Sequence, residues 1–214
     1  MSGANAAEYS PFTDERWANG PVRYLMTKSE KFEWDRIGGP SERAEFVVKF
    51  WQARDPNPLT PENEFRAEFE KRISFSDTYF SVEEKRGSET DRGLVFALLG
   101  PPTYIAQFSL TSQDDPIQVV RAEPVRRMLP ANPQRQQAGT TPVNEEPTPL
   151  TAQQIQGVRE IWHYGRGELP EAVPFKEIEF EFLTKPGYGT AVLQRDQPIL
   201  LALEVAAKGG QSPR

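Results

Sequence analysis

The sequence predicts an α+β fold in which N-terminal helices pack on a small, mainly antiparallel β-sheet. Two observations lead to this prediction: helical patterns with clear start and stop signals fall between about residues 27 and 80, and short strand-like runs follow at about 94–110 and 158–195. At 214 residues the chain is long enough for one sizeable core. We therefore expect a single domain with one excursion.

The domain boundaries follow from composition. The expected domain spans residues 20–200, after a flexible segment at 1–19 and before a C-terminal segment, 201–214, that ends in a flexible tail. Residues 111–155 are rich in Pro, Gln, Thr and Asn, which predicts a long, mobile polar insertion within the domain.

The first elements are predicted from local signals. VRYLM (22–26) is expected to be extended, and Thr27 with Glu30 matches a capping box for a short helix that ends at Gly38-Gly39. The segment that follows, residues 41–54, has helical periodicity.

The next two helices surround a proline-rich corner. Residues 41–54 place four large side chains on one stripe that should face the core: Phe46, Val47, Phe50 and Trp51. Pro56 ends this helix, because the residue before a proline is pushed out of the α region. Thr60 as N-cap and Pro61 at the first helical position predict a second helix that runs to about Phe80.

The remaining elements are predicted as strands. LVFALL (94–99), a wholly apolar run that ends at Gly100-Pro101-Pro102, predicts a central buried strand, and residues 104–110 form a second candidate. FKEIEFEFL (175–183) alternates apolar residues with glutamates, which is typical of a strand with one buried face.

YGTAVLQ (188–194) is the expected hairpin partner of that alternating strand. ILLALEVAA (199–207) is compatible with either a terminal helix or a further strand.

Composition excludes several functions. The net charge is −6 and the basic residues are dispersed among acidic ones, so we predict no nucleic-acid partner. Without cysteine, and with His163 as the single histidine, the chain offers no thiolate nucleophile and no cysteine- or histidine-based metal site. We predict no catalytic residues, no metal and no cofactor.

The apolar runs are too short to span a bilayer, and residues 1–12 lack the pattern of a signal peptide. The expected location is periplasmic or envelope-associated if a leader was removed, and otherwise cytoplasmic.

Three stretches resemble the GWxTD domain family, a bacterial group of uncharacterised function. They are FWQARDPNPLTPENEFRAEFEKR (50–72), TDRGLVFALLGPP (90–102), and EIWHYG (160–165) followed by EIEFEFL (177–183). The resemblance covers residues 20–110 closely and 158–195 loosely. Residue by residue, the family pattern falls on Phe50, Trp51, Arg54, Asp55, Pro56, Thr60, Asn63, Glu64, Arg72, Thr90, Asp91, Arg92, Gly93, Gly100, Pro101, Pro102, Trp162 and Tyr164.

The chain departs from the naming motif at one position. Where the family has Gly-Trp-x-Thr-Asp, this chain reads Gly87-Ser88-Glu89-Thr90-Asp91, with serine in place of tryptophan. If that tryptophan contributes to a ligand or partner surface, this chain lacks the contribution. The resemblance implies no established reaction, and it suggests an envelope context because many members carry export signals.

The candidate binding residues include an expected ionic cluster where the helix corner meets the turn before LVFALL: Arg54, Asp55, Glu64, Arg72, Asp91 and Arg92. One hypothesis is a site for an anionic or carbohydrate-like ligand, because arginine forks bind anions bidentately. The other, which we favour, is that the aspartates accept backbone N–H groups in turns and the arginines cap carbonyls and pair with carboxylates.

Four further residues complete the candidate set: Asn63, Thr90, Trp162 and Tyr164. Trp162 and Tyr164 share a strand face and could stack on a ligand, but large aromatic residues are more often part of a core. His163 faces the opposite way, which favours an exposed or satisfied strand residue over a general base. Carboxylates at 177, 179 and 181 could serve glycosidase chemistry, yet an outward strand face predicts the same residues.

By elimination, the predicted function is a non-enzymatic protein-interaction or scaffold module, placed in a bacterial envelope assembly by the resemblance alone. A protein partner is expected. The alternative is a small-molecule or carbohydrate-binding domain, or a hydrolase, with its site at Arg54, Asp55, Asp91 and Arg92.

Overall fold

The computed structural model describes residues 17–111, 119–123, 155–185 and 189–209. Within them, five α-helices and a five-stranded antiparallel sheet confirm the α+β prediction. The helices are α1 (Lys28–Trp34), α2 (Pro40–Gln52), α3 (Glu64–Tyr79), α4 (Asp91–Leu99) and α5 (Gln197–Gly209). The strands are β1 (Tyr104–Thr111), β2 (Val119–Glu123), β3 (Ile155–Tyr164), β4 (Ile178–Thr184) and β5 (Val192–Leu193). Short 3-10 helices occur at Trp17–Asn19, Pro21–Tyr24 and Gly87–Glu89.

The sheet has the strand order β2-β1-β3-β4-β5, and its two faces differ in burial. Trp162 on β3 pairs with Phe180 on β4, and both are fully buried, as is Phe182. The helices pack on this inner face, where Phe80 and Phe96 lie 5.4 and 6.4 Å, ring centre to ring centre, from Trp162. The side chains at alternate positions form the opposite, outer face.

The stripe predicted for α2 is confirmed, since all four of its members are buried: Phe46, Val47, Phe50 and Trp51. Its rings continue into an aromatic cluster with the N-terminal segment, in which Trp17 lies 5.0 Å from Trp34 and 5.2 Å from Phe50. The helical N-terminal half therefore has an aromatic core that is continuous with the inner face of the sheet.

The predicted capping box is present: the Thr27 side chain accepts from the Glu30 backbone N–H, and the Glu30 carboxylate accepts from the Thr27 N–H. The helix ends earlier than predicted, at Trp34. The extended conformation expected for 22–26 is wrong, because Pro21 starts a 3-10 turn in which the Leu25 N–H donates to the Val22 carbonyl.

The helix α3 starts later than predicted, at Glu64 and not after Thr60. Asn63 is its N-cap: Oδ1 accepts from the Arg66 N–H at 2.8 Å, while Nδ2 donates to the Trp51 carbonyl at 2.7 Å. Because this amide serves both helices, it outcompetes Thr60, whose hydroxyl instead donates to the Glu64 carboxylate at 2.7 Å.

The strand predicted for 94–99 is wrong, because these residues form α4. Thr90 caps the helix by accepting from the Gly93 N–H at 3.1 Å, and Gly100 ends it with φ = 80°, a conformation that favours glycine. The run is apolar on most sides because α4 is buried between α3 and the rest of the core, so it lacks the amphipathic period of a surface helix.

The other strand predictions hold. β1, β3 and β4 occupy the predicted segments, and the predicted hairpin partner of β4 is the two-residue strand β5. ILLALEVAA is the helix α5, which crosses the expected domain end at residue 200 and buries Ala202 and Leu203 in the core.

Part of the predicted polar insertion is ordered sheet. Residues 119–123 form β2, which pairs with β1 from Ile105 to Phe108. The rest of the predicted mobile segment, 112–118 and 124–154, lies outside the described residues, as do residues 1–16 and 210–214 of the predicted flexible ends. For residues 17–19 the prediction of a flexible segment at 1–19 is wrong, because they form a 3-10 helix that buries Trp17 and Ala18.

Candidate functional site

Residues 87–93, here called the motif turn, run from the third 3-10 helix into the start of α4. Its two glycines are in backbone contact with their surroundings. A Cβ on Gly87 would lie 1.7 Å from the Ser76 carbonyl oxygen in α3, and a Cβ on Gly93 would lie 2.0 Å from the Gly87 carbonyl oxygen. No side chain fits at either position, so α3, the turn and α4 touch through their main chains.

Thr90 is a buried cap at the centre of the turn. Its hydroxyl donates to the Gly87 carbonyl at 2.7 Å and accepts from the Gly93 N–H at 3.1 Å. One side chain thereby closes the turn and satisfies a backbone donor that the first turn of α4 would otherwise leave unpaired.

Asp91 fastens β5 to the N-terminus of α4. Its Oδ2 accepts from the Leu193 backbone N–H at 2.8 Å, and its Oδ1 accepts from the Arg195 guanidinium at 2.7 Å. The carboxylate also lies in the first turn of α4, where the helix dipole favours negative charge.

Arg92 fastens β3 to the same helix through a carboxylate that the sequence analysis missed. Arg92 Nε lies 2.9 Å from Oε1 of Glu160, and Nη2 donates to Oε2 at 3.1 Å. Glu160 is only 4% exposed and also accepts from Gln107 Nε2 and Trp162 Nε1, each at 2.6 Å. The sequence did contain a signal for this site: Glu160 is two residues before Trp162 in a predicted strand, so the two side chains share the face expected to be buried.

Ser88 occupies the position of the motif tryptophan and is fully buried. Its N–H donates to Asp77 Oδ1 at 2.8 Å, and its carbonyl accepts from the Tyr24 hydroxyl at 2.9 Å. Burial acts to raise the pKa of Asp77, but hydrogen bonds from Ser88 and Arg86 outweigh it, so that pKa is lowered. In this chain the position faces the interior.

Arg54 is buried, and both terminal nitrogens of its guanidinium bond within the fold. Nη1 and Nη2 donate to the two carboxylate oxygens of Glu30, both at 2.9 Å, and also to the Phe50 and Leu25 carbonyls at 2.9 Å. Burial acts to raise the pKa of Glu30, but hydrogen bonds from Arg54 and Thr27 lower it overall. The pair joins α1 to the end of α2.

Asp55 begins a chain of turn contacts in residues 55–61, here called the proline corner. Asp55 Oδ1 accepts from the Asn57 N–H at 3.0 Å, and Asn57 Oδ1 accepts from the Leu59 N–H at 3.3 Å. Glu64 follows the corner and is exposed; its hydrogen bond from Thr60 lowers its pKa.

Arg72 lies at the other end of α4. Its Nε donates to Glu68 at 3.0 Å, and Nη1 lies 3.4 Å from the carbonyl oxygens of Ala97 and Leu98. The positive charge is therefore placed at the negative end of the helix dipole.

The aromatic candidates lie in the core, as the favoured prediction has it: Trp162 and Tyr164 are fully buried. Tyr164 donates its hydroxyl to the Gly100 carbonyl at 2.8 Å, and burial raises its pKa well above the ordinary value. His163 points to the outer face, where its ring stacks on Tyr104 at 4.6 Å and Nδ1 lies 3.5 Å from Glu179.

The expected ionic cluster is distributed over separate sets of contacts. Arg54 and Asp55 belong to the junction of α1, α2 and the proline corner, Arg72 to the C-terminal end of α4, and Asp91 and Arg92 to its N-terminal end. Each set ties one element to another.

Two other kinds of feature are absent from the described ranges. Residues 17–111, 119–123, 155–185 and 189–209 contain no group of three or more histidine, aspartate or glutamate side chains arranged to hold a metal ion. None of the helices described has both the length and the apolar character needed to cross a bilayer.

The protein is a small α+β domain in which the helices cover one face of the sheet. The motif turn, with Gly87, Thr90 and Gly93, connects these helices to the sheet. The chain belongs to the GWxTD domain family: the family model matches residues 4–113, just over half of the chain. The matched segment ends just after β1, so β2 to β5 and α5 lie beyond it. No curated protein and no solved structure matches the chain.

Proposed function

We propose that this protein is a non-enzymatic interaction or scaffold module that binds a protein partner through the outer face of its sheet. The observation that carries the proposal is the composition and exposure of that face, which combines aromatic, aliphatic and paired charged side chains.

Strand register places the side chains of the outer face in three rows across β1, β3 and β4. The rows are Tyr104–His163–Glu179, Ala106–Ile161–Glu181 and Phe108–Arg159–Leu183. These side chains are exposed or half-buried, in contrast to the centre of the inner face, where Trp162, Phe180 and Phe182 are fully buried.

Contacts between strands hold these side chains in place. Tyr104 is 40% exposed and stacks on His163, while Arg159 donates to both carboxylate oxygens of Glu181 at 2.8 and 2.9 Å and lies 5.9 Å from the centre of the Phe108 ring. Side chains that are already ordered lose little freedom on binding, and tyrosine and arginine are enriched in interfaces.

The charge of the face indicates the kind of partner. Glu179 is exposed, Glu177 precedes it just outside β4, and the chain as a whole carries −6. We therefore propose a partner surface with an apolar centre and basic residues at its rim, because complementary charge speeds encounter and fixes orientation.

The inward orientation of the motif residues supports a binding role over a catalytic one. The alternative, a hydrolase or ligand-binding site at the predicted cluster, requires donor groups of Arg54 and Arg92 that Glu30 and Glu160 already occupy. The bacterial envelope setting is part of the proposal and rests on the family resemblance.

Affinity capture with the purified protein from the lysate of its native organism tests the proposal. Three baits are compared: the unaltered chain, the outer-face variant Tyr104→Ser/Ile161→Glu, and the control variant Phe32→Ser. Phe32 is 62% exposed on α1 and so offers a matched loss of apolar surface away from the sheet.

We expect a protein retained by the unaltered chain and by the control but not by the outer-face variant. The captured protein is then purified and its affinity measured at low and high salt, where binding should weaken with salt. Retention of the same proteins by all three baits, each with native circular dichroism, would show that the outer face is not the binding surface.

A further inference from the structure

We propose that the chain self-associates by a reciprocal exchange in which Leu59 of each copy enters an apolar pocket of the other. This inference does not depend on the outer face of the sheet, and each proposal can fail without the other.

Leu59 is an apolar side chain that projects into solvent. It is 95% exposed, although it lies in a corner held by backbone and side-chain hydrogen bonds. Asn57 accepts from the Leu59 N–H with its side chain and from the Thr60 N–H and hydroxyl with its carbonyl, at 3.0 and 2.8 Å for the latter two. Prolines at 56, 58 and 61 restrict the backbone further. The backbone that carries Leu59 is therefore restrained before binding, so less backbone entropy is lost when the side chain is buried.

A pocket that could accept it lies between α3, α4 and α5. Its volume is about 220 Å³, and its apolar lining includes Leu25, Phe65, Phe69, Leu98 and Ala206. An apolar cavity of about 150 Å³ is enough to hold a benzene molecule, so this pocket has room for a leucine side chain.

The polar part of the pocket is electrically balanced. Arg72 and Glu68 are paired in its wall at 3.0 Å, and the Arg72 guanidinium faces the carbonyl end of α4. No net charge is left to attract an ionic ligand. An uncharged apolar group is therefore the better occupant than a carboxylate or an amine.

Leu59 and the pocket are close along the chain, which favours a closed pair of copies over an open chain of copies. Leu59 lies six residues before Phe65, a pocket-lining residue in the first turn of α3, so the two Cα atoms are within about 22 Å of each other. When a protruding group and its receptor are this close on each copy, one two-fold axis between two copies can satisfy both contacts at once. Two buried leucines form a small interface, so we expect weak association with a Kd of roughly 10 µM to 1 mM.

Sedimentation velocity over a range of protein concentrations provides the first test. The full chain should shift from monomer to dimer as concentration rises, Leu59→Asp should weaken the association by roughly ten-fold or more, and Phe32→Asp should match the unaltered chain. Leu59 and Phe32 are both exposed, so neither change should disturb folding. A chain that stays monomeric up to millimolar concentration, or a Leu59→Asp variant that associates normally, would overturn the proposal.

A pocket variant separates insertion from any other role of Leu59. Ala206→Leu fills the pocket from α5, and Phe65→Ser opens its rim if the first variant does not fold. Either should weaken self-association of a folded protein. In a mixture of the two variants, the Leu59→Asp protein keeps its pocket and the Ala206→Leu protein keeps its Leu59. One leucine can then enter one pocket, so heterodimers should be more abundant than either homodimer. Normal association by both folded pocket variants would rule out insertion at this pocket.

Discussion

Asp91→Ala is the most direct test of whether the motif aspartate serves the fold. The substitution removes the acceptor of the Leu193 N–H and the partner of Arg195, and it removes a negative charge from the first turn of α4. If instead the residue served a ligand, its loss would leave stability nearly unchanged or improve it.

The expected loss follows from three contributions. Leaving the partly buried Leu193 N–H without its charged acceptor costs about 1.5–3 kcal/mol. The ion pair with the half-exposed Arg195 adds at most about 1 kcal/mol, and the helix-terminal charge adds about 0.3–1 kcal/mol. The free energy of unfolding should therefore fall by about 2–5 kcal/mol, which for a chain of this size lowers Tm by about 4–20 °C.

Thermal and urea unfolding followed by circular dichroism measure this loss. Asp91→Asn retains an oxygen acceptor for the Leu193 N–H and should lose only about 1 kcal/mol. Asp35→Ala is the control, because its partner Lys31 is exposed and close on the same chain segment. An Asp91→Ala protein that unfolds with the same free energy as the Asp35→Ala protein would refute the structural role.

Two further predictions concern packing and charge. Gly87→Ala should lower the free energy of unfolding, measured in urea, by more than about 3 kcal/mol, because its Cβ would meet the Ser76 carbonyl. The control Gly38→Ala has open space around it and should stay within about 1 kcal/mol of the unaltered chain. Equal stabilities of the two variants would contradict the backbone contact at Gly87. Glu30→Gln should cost about 2–4 kcal/mol at pH 7, because it leaves the buried Arg54 charge without its counter-charge. The pKa of Glu30 is lowered in the folded state, so the stability that its charge contributes is complete above the ordinary carboxyl pKa and is lost as pH falls through the lowered value. The difference in free energy of unfolding between Glu30→Gln and the unaltered chain should therefore shrink at about pH 3. A difference that does not change with pH would exclude this carboxylate as the cause.

Much of the fold could be predicted because its signals are local. The capping box at Thr27, the stripe on α2 and the alternation in β4 each depend on residues a few positions apart. α4 was mistaken for a strand because a short run of wholly apolar residues has no period to distinguish the two. The cap at Thr90 and the glycine at 100 carried the missing information.

Choosing among caps required knowledge of tertiary structure. Both Thr60 and Asn63 have acceptable side chains, and Asn63 caps α3 because its amide also reaches the Trp51 carbonyl on α2. Sequence reasoning sees the capping residue type but not the neighbouring helix that selects between two candidates.

The pairings of the candidate residues could not be predicted from the sequence. Arg54 and Arg92 pair with carboxylates, as the favoured hypothesis expected, but those carboxylates are far along the chain. Asp91 was expected to accept from a backbone N–H in its own turn, and it accepts instead from Leu193 in β5. Glu160 was missed because it is 68 residues from Arg92, and no spacing rule connects two such positions. Distant pairings are set by the topology of the sheet.

The long-range bonds of Asp91 have a consequence for how the chain folds as it is synthesised. Leu193 and Arg195 follow Asp91 by 102 and 104 residues, so at ordinary elongation rates α4 emerges roughly 5–20 s before these partners do. During that interval its apolar surface is covered on the α3 side, where Phe96 stacks on Phe75, but not by the strands that complete its burial. A nascent chain stalled after β1 should therefore be a chaperone substrate, and a fragment limited to residues 4–113 should not fold to the native structure on its own.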